Sequence, residues 1–277
     1  MNSIIEILHY TFFQNAIFVA ILASISCGII GTYIVSKRMV FIAGGITHAS
    51  FGGIGIAYYL GFNPIIGAAI FALFTALGIE NLTKKAEIRN DSVIAILWSM
   101  GMAVGIIFIY LTPGYAPNLM SYLFGSILTV TNSDLLFLGI LCTIIVFFFA
   151  TFYTLILFIA FDEQFAKTRK VPVKFINYFI ICLISLTIVL NIKIAGIILV
   201  LSLLTIPQNA ANLLTNKFYK IILLSVIIGF IGSLTGLILS FLLEIPSGAT
   251  IIFSLIVIYL LIRLYVKLRI YALKNPI

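Results

Sequence analysis

The sequence predicts an all-α fold, a polytopic membrane bundle of about nine transmembrane helices with one additional short outer helix. Hydrophobic residues make up 63% of the 277 residues, charged residues make up only 9%, and the mean hydropathy is +1.27. This balance lies far from that of a soluble domain. No polar stretch is long enough to fold separately, so residues 1–277 are expected to form a single membrane domain with short loops.

Nine apolar runs of roughly 17 residues or more have the length that a bilayer core requires. They lie near 13–36, 39–60, 64–82, 92–111, 134–160, 174–191, 194–214, 221–242 and 247–266. Tyr115–Val130 is shorter and begins with polar residues, so it is expected to lie on or dip into the outer surface. If two of the runs form one broken span, the count falls to eight. The first run lacks a basic start and is not expected to be a cleaved signal peptide.

The basic residues test this count. With the N-terminus outside and the C-terminus inside, every Lys and Arg except Lys193 falls on one side. Such segregation identifies the cytoplasmic face of a membrane protein. Counting Tyr115–Val130 as a full span would destroy the segregation. The net charge of +8 is then explained by basic loops next to the anionic lipid bilayer, with no nucleic acid as a partner.

The second run carries a histidine between glycines. Gly44, His48 and Gly52 are spaced four residues apart and therefore share one helix face. Small residues let neighbouring helices approach closely, and an ionisable side chain at this depth is a candidate functional residue. Two interpretations stay open. His48 either binds a carbonyl group on the next helix and holds the bundle together, or faces a space left for something other than protein.

The seventh run has a polar face. Ser202, Thr205, Asn209 and Asn212 follow a 3-4-3 spacing, and Pro207 interrupts the run. Because proline has no N–H, the carbonyl of the residue four positions earlier loses its helical hydrogen bond. Such a break is tolerated in a membrane only against protein or a wet cavity. The face is therefore either a kinked helix whose asparagines bind neighbouring helices, or the lining of a hydrophilic path.

Two loops complete the set of candidate sites. Glu244 lies at the outer turn between the last two runs. A carboxylate there would attract cations if the turn is a channel mouth, and would do nothing special in an ordinary loop. The longest inner polar segment is Phe161–Lys174. Its residues 162–170 could form a short helix with Asp162 as N-cap and Phe165 as its apolar contact, or they could be a solvated loop.

Several functional classes are disfavoured. The three cysteines are isolated, which excludes a disulfide framework and a CxxC metal clip. The sequence has no GxxxxGK[ST] motif, so it cannot bind nucleotide as P-loop proteins do. An integral membrane enzyme would need clustered catalytic residues, whereas His9 and His48 are far apart. A secondary metal transporter would need an ionisable relay well inside a span, and none is found there.

Six segments, in register along nearly the whole chain, resemble the membrane permease subunit of the ABC-type zinc/manganese/iron importer family. The segments are RMVFIAGGITHA, DSVIAILWSMGMAVG, SYLFGSILTVTNSDL, FDEQFAKTRKVPV, GIILVLSLLTIPQNAANLLT and LEIPSGATIIF. The resemblance implies a homodimer of permeases in the bacterial inner membrane. It also implies a cytoplasmic ABC ATPase subunit that hydrolyses ATP and an extracytoplasmic metal-binding protein that delivers the ion. The chain itself is expected to be a transport subunit and not an enzyme.

The resemblance assigns the coupling segment 161–173 to contact with the ATPase. The residues expected to carry this contact are Asp162, Phe165, Ala166 and Lys167. Two positions depart from the family pattern, since Gln164 replaces a glutamate and Lys170 replaces a glycine.

The same resemblance points to a metal path. His48 matches the histidine of the family, Glu244 stands where an aspartate is usual, and the expected path continues along Thr205 and Asn209. Gly44 replaces the usual carboxylate one turn before the histidine. At 1.5 Å per residue, His48 lies ~15 Å along its helix from Arg38, near the middle of the membrane, whereas Glu244 lies near the outer surface. The two residues either form one site, if a broken helix brings them together, or form two successive sites along the path.

The expected cargo is a divalent ion that passes through as substrate, with no permanently bound cofactor. Imidazole and carboxylate ligands suit such ions, and isolated cysteines argue against copper(I). Zinc accepts histidine at low coordination number, so the ligand set favours zinc. Manganese and iron(II) are the alternatives within the family.

Overall fold

The computed structural model describes residues 10–85, 90–113, 125, 127 and 130–274. These residues contain long helices and, within the described ranges, no strand, so the predicted all-α membrane fold is confirmed. The helices are α1 (Thr11–Ser36), α2 (Val40–Leu60), α3 (Pro64–Lys85), α4 (Asn90–Leu111), α5 (Asn132–Thr151), α6 (Tyr153–Phe161), α7 (Glu163–Thr168), α8 (Val173–Leu203), α9 (Ile206–Leu214), α10 (Phe218–Leu243) and α11 (Ser247–Lys274). Most of Tyr115–Val130, together with His9 and Arg89, lies outside the described residues.

Helix α1 extends through the whole depth of the bundle. Near its start, Asn15 donates a hydrogen bond to Asn132, the first residue of α5, at 3.4 Å. Directly after its end, Lys37 pairs with Glu163, which follows α6, at 3.1 Å. Helices α5 and α6 therefore run beside α1 in the same direction. We call the level of Lys37 and Glu163 the basic end and the level of Asn15 and Asn132 the distal end.

Helix α8 reverses its direction at Gly196. Its first turns lie at the basic end, and Lys193 forms an ion pair with Asp134 at the distal end. Gly196 then has φ 78° and ψ 163°, a conformation that is essentially restricted to glycine. Beyond it, the amide of Gln208 donates to the carbonyl of Cys27 in the second half of α1 at 2.8 Å. The chain has therefore turned back toward the basic end.

This reversal decides the number of membrane crossings. Eight helical stretches in the described part are long and apolar enough to cross a membrane, with Val173–Leu214 taken as one stretch of 42 residues. At 1.5 Å per residue this stretch would extend about 63 Å, roughly twice the ~30 Å of a bilayer core. Because it turns at Gly196 it crosses twice, which gives the nine crossings that the sequence predicted. The turn lies three residues later than expected, since Lys193 is still helical.

The glycines of α2 are packed by its neighbours. A Cβ atom added at Gly53 would collide with the carbonyl group of Gly67 on α3, and one added at Gly52 would lie 2.9 Å from the carbonyl oxygen of Gly101 on α4. Small residues at these positions therefore allow close helix contact, as predicted. The space expected next to His48 on the Gly52 side is filled by protein.

Helices α1 and α10 contact each other at small residues. Gly229 lies against Ser24, and Gly28 lies against Val226. Since higher numbers on α10 meet lower numbers on α1, the two helices are antiparallel, and α10 ends at the distal end. Helix α11 packs along α10 and returns to the basic end.

The basic end is expected to face the cytoplasm, with Lys84, Arg89, Lys167 and Lys217 all inside. A single cysteine at Lys167 or Lys217, in a chain without its native cysteines, is expected to resist a membrane-impermeant maleimide in intact cells and to react after the membrane is opened. A cysteine at Ile245, in the exposed distal turn, is the positive control. Efficient labelling of Lys167→Cys in intact cells would overturn this orientation.

Candidate functional site

His48 on α2 stacks on Trp98 of α4. The ring centroids are 4.1 Å apart and the ring planes differ by 9°. The Nδ1 atom of His48 is buried and has no hydrogen-bond partner among the described residues. One interpretation was that His48 hydrogen-bonds a carbonyl of a neighbouring helix. Nδ1 forms no such bond with the described residues. The stacking on Trp98 orients the imidazole ring.

The position one turn before His48, Gly44, has room beside it. A Cβ atom at Gly44 would lie 3.6 Å from Cδ1 of Leu201 and 3.7 Å from the ring of Trp98. These are ordinary van der Waals distances, so this position could accommodate a side chain. The proximity of Leu201 places α2 next to the part of α8 that follows Gly196. Leu201 lies one helical turn before Thr205.

Thr205 and Asn209 form hydrogen bonds within their own segment. The hydroxyl of Thr205 donates to the carbonyl of Leu201 at 2.8 Å, and the side-chain amide of Asn209 donates to the carbonyl of Thr205 at 2.8 Å. Thr205 is half-buried, while Asn209 and Asn212 are exposed. The predicted polar face thus points away from the core of its own chain. At membrane depth such a face has to meet protein or water.

The predicted break at Pro207 is present. Helix α9 begins at Ile206 with Pro207 in its first turn and Thr205 as the residue before it. The carbonyl of Leu203, which was expected to be free, accepts a hydrogen bond from the side-chain amide of Gln208 at 3.0 Å. This carbonyl is therefore used within the protein and does not extend the polar path.

Glu244 lies at the distal end, immediately after α10. It is exposed and has φ 55° and ψ 39°, a left-handed conformation that is costly for a residue with a Cβ atom. His48 lies 12 residues before Leu60, the distal end of α2, which is about 18 Å along the helix. The structure therefore places the two residues at different depths.

No group of three or more His, Cys, Asp or Glu side chains in the described ranges could hold a metal ion.

The predicted short helix at the basic end is confirmed as α7. The side chain of Asp162 caps it by accepting from the backbone N–H of Phe165 at 2.9 Å. Ala166 is fully buried, whereas Phe165 is 40% exposed. The guanidinium of Arg169 lies 5.3 Å from the ring centroid of Phe165. One face of α7 therefore packs on the bundle, and the other presents an aromatic ring.

The turn after this helix contains one of the departures from the family pattern. Lys170 has φ 56°, in the left-handed region that favours glycine. A glycine at this position would adopt the same turn without strain.

Sequence reasoning missed Trp98 and Glu163. Trp98 is the only tryptophan of the chain, and it lies eight residues into α4 just as His48 lies eight residues into α2. Glu163 pairs with Lys167 at 3.1 Å, a contact that the i,i+4 spacing predicts. Its pairing with Lys37, 126 residues away, has no local signal.

The comparisons with known proteins agree with this architecture. Residues 9–266 match the ABC 3 transport family. The chain is 40% identical over 252 residues to an uncharacterised membrane protein of Synechocystis and 35% identical over 253 residues to the manganese transport system membrane protein MntC of Listeria monocytogenes. Each alignment covers 91% of this chain and 90% of the relative.

A solved structure also matches over nearly its full length. PsaBC from Streptococcus pneumoniae in complex with Fab superposes with a TM-score of 0.85 at 29% identity, and the alignment covers 94% of each chain. Because the family match includes α7, the His48 helix and the distal turn of Glu244, it spans every candidate site described above. The chain belongs to the ABC 3 transport family.

Proposed function

We propose that this chain is the membrane-spanning permease subunit of an ATP-driven importer for a divalent transition-metal ion. The observation that carries the proposal is His48, whose ring is oriented by Trp98 while its buried Nδ1 has no partner in the described part of the chain. A neutral imidazole nitrogen is a common metal ligand. The family membership and the name of the Listeria relative support a metal ion as cargo.

The proposed path begins at Glu244 and continues to His48. The exposed carboxylate at the distal end would attract cations, and His48 would hold the ion about 18 Å deeper. Thr205 and Asn209 would then provide neutral oxygen atoms on the way to the basic end. The contact of the Gly44 turn with Leu201 supports this order, because it places α2 next to the segment that carries Thr205.

Zinc is the cargo that the ligand types favour, since zinc accepts histidine at low coordination number. Manganese is the second candidate, because the Listeria relative at 35% identity is named for manganese transport. Manganese favours oxygen ligands, and Gly44 offers none from a side chain.

Each end of the bundle is proposed to bind a different partner protein. A cytoplasmic ABC ATPase would bind α7 at the basic end through Asp162, Phe165 and Lys167. Ala166, which was also expected to carry this contact, is fully buried and would instead hold α7 against the bundle. An extracytoplasmic metal-binding protein would deliver the ion at the distal end. A second copy of the permease would cover the exposed polar face of Asn209 and Asn212, because polar groups are costly against lipid. The assembly would lie in the bacterial inner membrane.

Metal choice can be tested at Gly44 in vesicles that contain the permease and its ATPase. Wild-type vesicles are expected to take up zinc or manganese only when ATP is supplied. Gly44→Asp is expected to shift the ratio of manganese to zinc uptake by about tenfold toward manganese, the effect of roughly 1.4 kcal/mol, because it adds a hard oxygen ligand one turn from His48. Gly44→Asn has the same shape without the charge and is the matched control.

Two results would count against the proposal. Uptake of neither ion, and of no iron(II), by the wild-type complex would exclude the function. An equal shift in the Asp and Asn variants would show that the negative charge of the added carboxylate does not set the preference for manganese.

A further inference from the structure

The carboxylate of Glu163 connects α7 to the junction between α1 and α2. Lys37 donates to Oε2 of Glu163 at 3.1 Å, and the Lys37 side chain is only 17% exposed. Lys37 follows the last residue of α1 and precedes the first residue of α2, Val40, by three positions. The pair therefore attaches the short helix to the point where the helix carrying His48 begins.

A small polar network surrounds this pair. Asn177, in the first turns of α8, lies 3.5 Å from Glu163, and the hydroxyl of Tyr33 donates to Asn177 at 3.4 Å. The ammonium group of Lys37 also lies 5.9 Å from the ring centroid of Tyr33. Together with Glu80 of α3 these residues line a cavity of about 80 Å³. Side chains of α1, α3, α7 and α8 thus meet around this cavity.

Glu163 is ionised at neutral pH. Partial burial alone would raise the pKa of Glu163, but hydrogen bonds from Lys37 and Lys167 outweigh burial and lower this pKa to about 2. Because the pKa is depressed in the folded protein, the stabilisation from the pair is present above the ordinary value of 4.5. It is lost as the pH falls through about 2. Near neutral pH the link therefore does not titrate.

The junction between α1 and α2 is short and is held by backbone hydrogen bonds. The backbone N–H of Met39 donates to the carbonyl of Ile34 at 2.8 Å, and that of Arg38 donates to Val35 at 3.1 Å. Arg38 also adopts φ 57°, which makes this turn sharp. A displacement of Lys37 would thus move the start of α2 directly, and His48 lies eleven residues beyond Lys37 on that side.

We infer that the Glu163–Lys37 ion pair transmits movement of α7 to α2, so that Glu163 is a positioning residue for His48. The inference rests on the proposed function, in which an ATPase moves α7. Glu163 and Ala166 face the bundle, while Phe165 and Lys167 are exposed, so α7 can contact a partner and the junction at the same time. Contiguous ion pairs and packed helices of this kind can carry coupling between distant sites.

The test compares uptake with ATP hydrolysis in vesicles that contain the full permease–ATPase complex. Glu163→Gln keeps the shape of the side chain and removes its charge. It is expected to lower the ratio of transported Mn²⁺ or Zn²⁺ to hydrolysed ATP by roughly fivefold, with ATP hydrolysis itself preserved. Glu163→Lys should lower the ratio further, because it places like charges together.

Two controls separate coupling from simple stability. The charge exchange Lys37→Glu with Glu163→Lys is expected to restore most of the ratio, which loss of folding would not allow. Lys174→Gln removes an exposed charge at the same end and should leave the ratio unchanged. A normal ratio in Glu163→Gln, or no rescue by the exchange, would overturn the inference and leave the proposed function intact.

A second readout does not depend on metal. Amide hydrogen exchange of the solubilised permease is expected to rise about tenfold at residues 37–43 in Glu163→Gln, and to stay at the wild-type rate in Lys174→Gln. Unchanged exchange at 37–43 would overturn the inference. If the wild-type complex transports neither of these ions nor iron(II), the proposed function fails, and the exchange result still decides whether Glu163 positions the start of α2.

Discussion

Replacing His48 with alanine is expected to abolish metal uptake by the reconstituted complex. His48 is the one imidazole of the proposed path, and its Nδ1 has no partner among the described residues. Loss of even an outer partner of a metal ligand costs about 10- to 100-fold in affinity, so loss of the ligand itself should reduce uptake by more than about 100-fold. The measurement is ATP-dependent uptake of radioactive zinc and manganese.

The control variant for this result lies on the same helix as His48. Ser50→Ala removes a buried hydroxyl of α2 that donates to the carbonyl of Thr47 in the same helix, and it should leave uptake close to wild type. Expression and association with the ATPase should be unchanged in His48→Ala. Normal uptake by this variant would show that the histidine is structural and that the proposed site is wrong.

The other residues of the path should differ in the size of their effects. Glu244→Ala is expected to abolish uptake, because it removes the carboxylate at the distal entrance. Asn209→Ala should slow uptake without abolishing it, since Asn209 offers a neutral oxygen atom and its amide already bonds to Thr205. Equal losses in both variants would contradict a path in which the charged residue acts first.

Replacing Phe165 with alanine is expected to weaken docking of the ATPase by about 2 kcal/mol or more, which is roughly 30-fold in affinity. Phe165 is 40% exposed and lies in an ordered helix. Exposed aromatic side chains of this kind become interface anchors when a partner buries them. Titration of the purified permease with the ATPase measures the affinity, and uptake per ATP hydrolysed measures the coupling.

Phe175→Ala is the matched control for this experiment. Phe175 is also an exposed aromatic residue near the basic end, but it belongs to α8 and not to α7. Its replacement should leave docking unchanged. Coupled uptake at the wild-type rate in Phe165→Ala would mean that α7 does not carry the contact with the ATPase.

Much of the fold could be predicted because a bilayer restricts what a chain can do. Every backbone polar group in the hydrocarbon region has to be satisfied within the segment, so apolar runs of about 20 residues become helices. The segregation of the basic residues to one side of the membrane then predicted nine crossings. The reversal of α8 at Gly196 agrees with that number. The exact turn could not be predicted, because Lys193 looked like a loop residue and is in fact held at the end of a helix by Asp134.

The candidate site divides in a similar way. The periodicity of the sequence revealed the face of His48, and the side-chain types identified Thr205 and Asn209 as polar. The sequence could not show that Gly101 fills the space next to Gly52, or that Gln208 takes the carbonyl of Leu203. These contacts join helices that are distant in sequence, and packing between helices decides them.

The sequence by itself therefore determined the membrane class, the helices, the family and the cap of α7 by Asp162. Each of these depends on composition or on residues within a few positions of one another. Only the tertiary structure decided that Trp98 orients His48 and that Glu163 contacts Lys37. Those pairs form when separate helices pack side by side, and no local pattern specifies which side chains then meet.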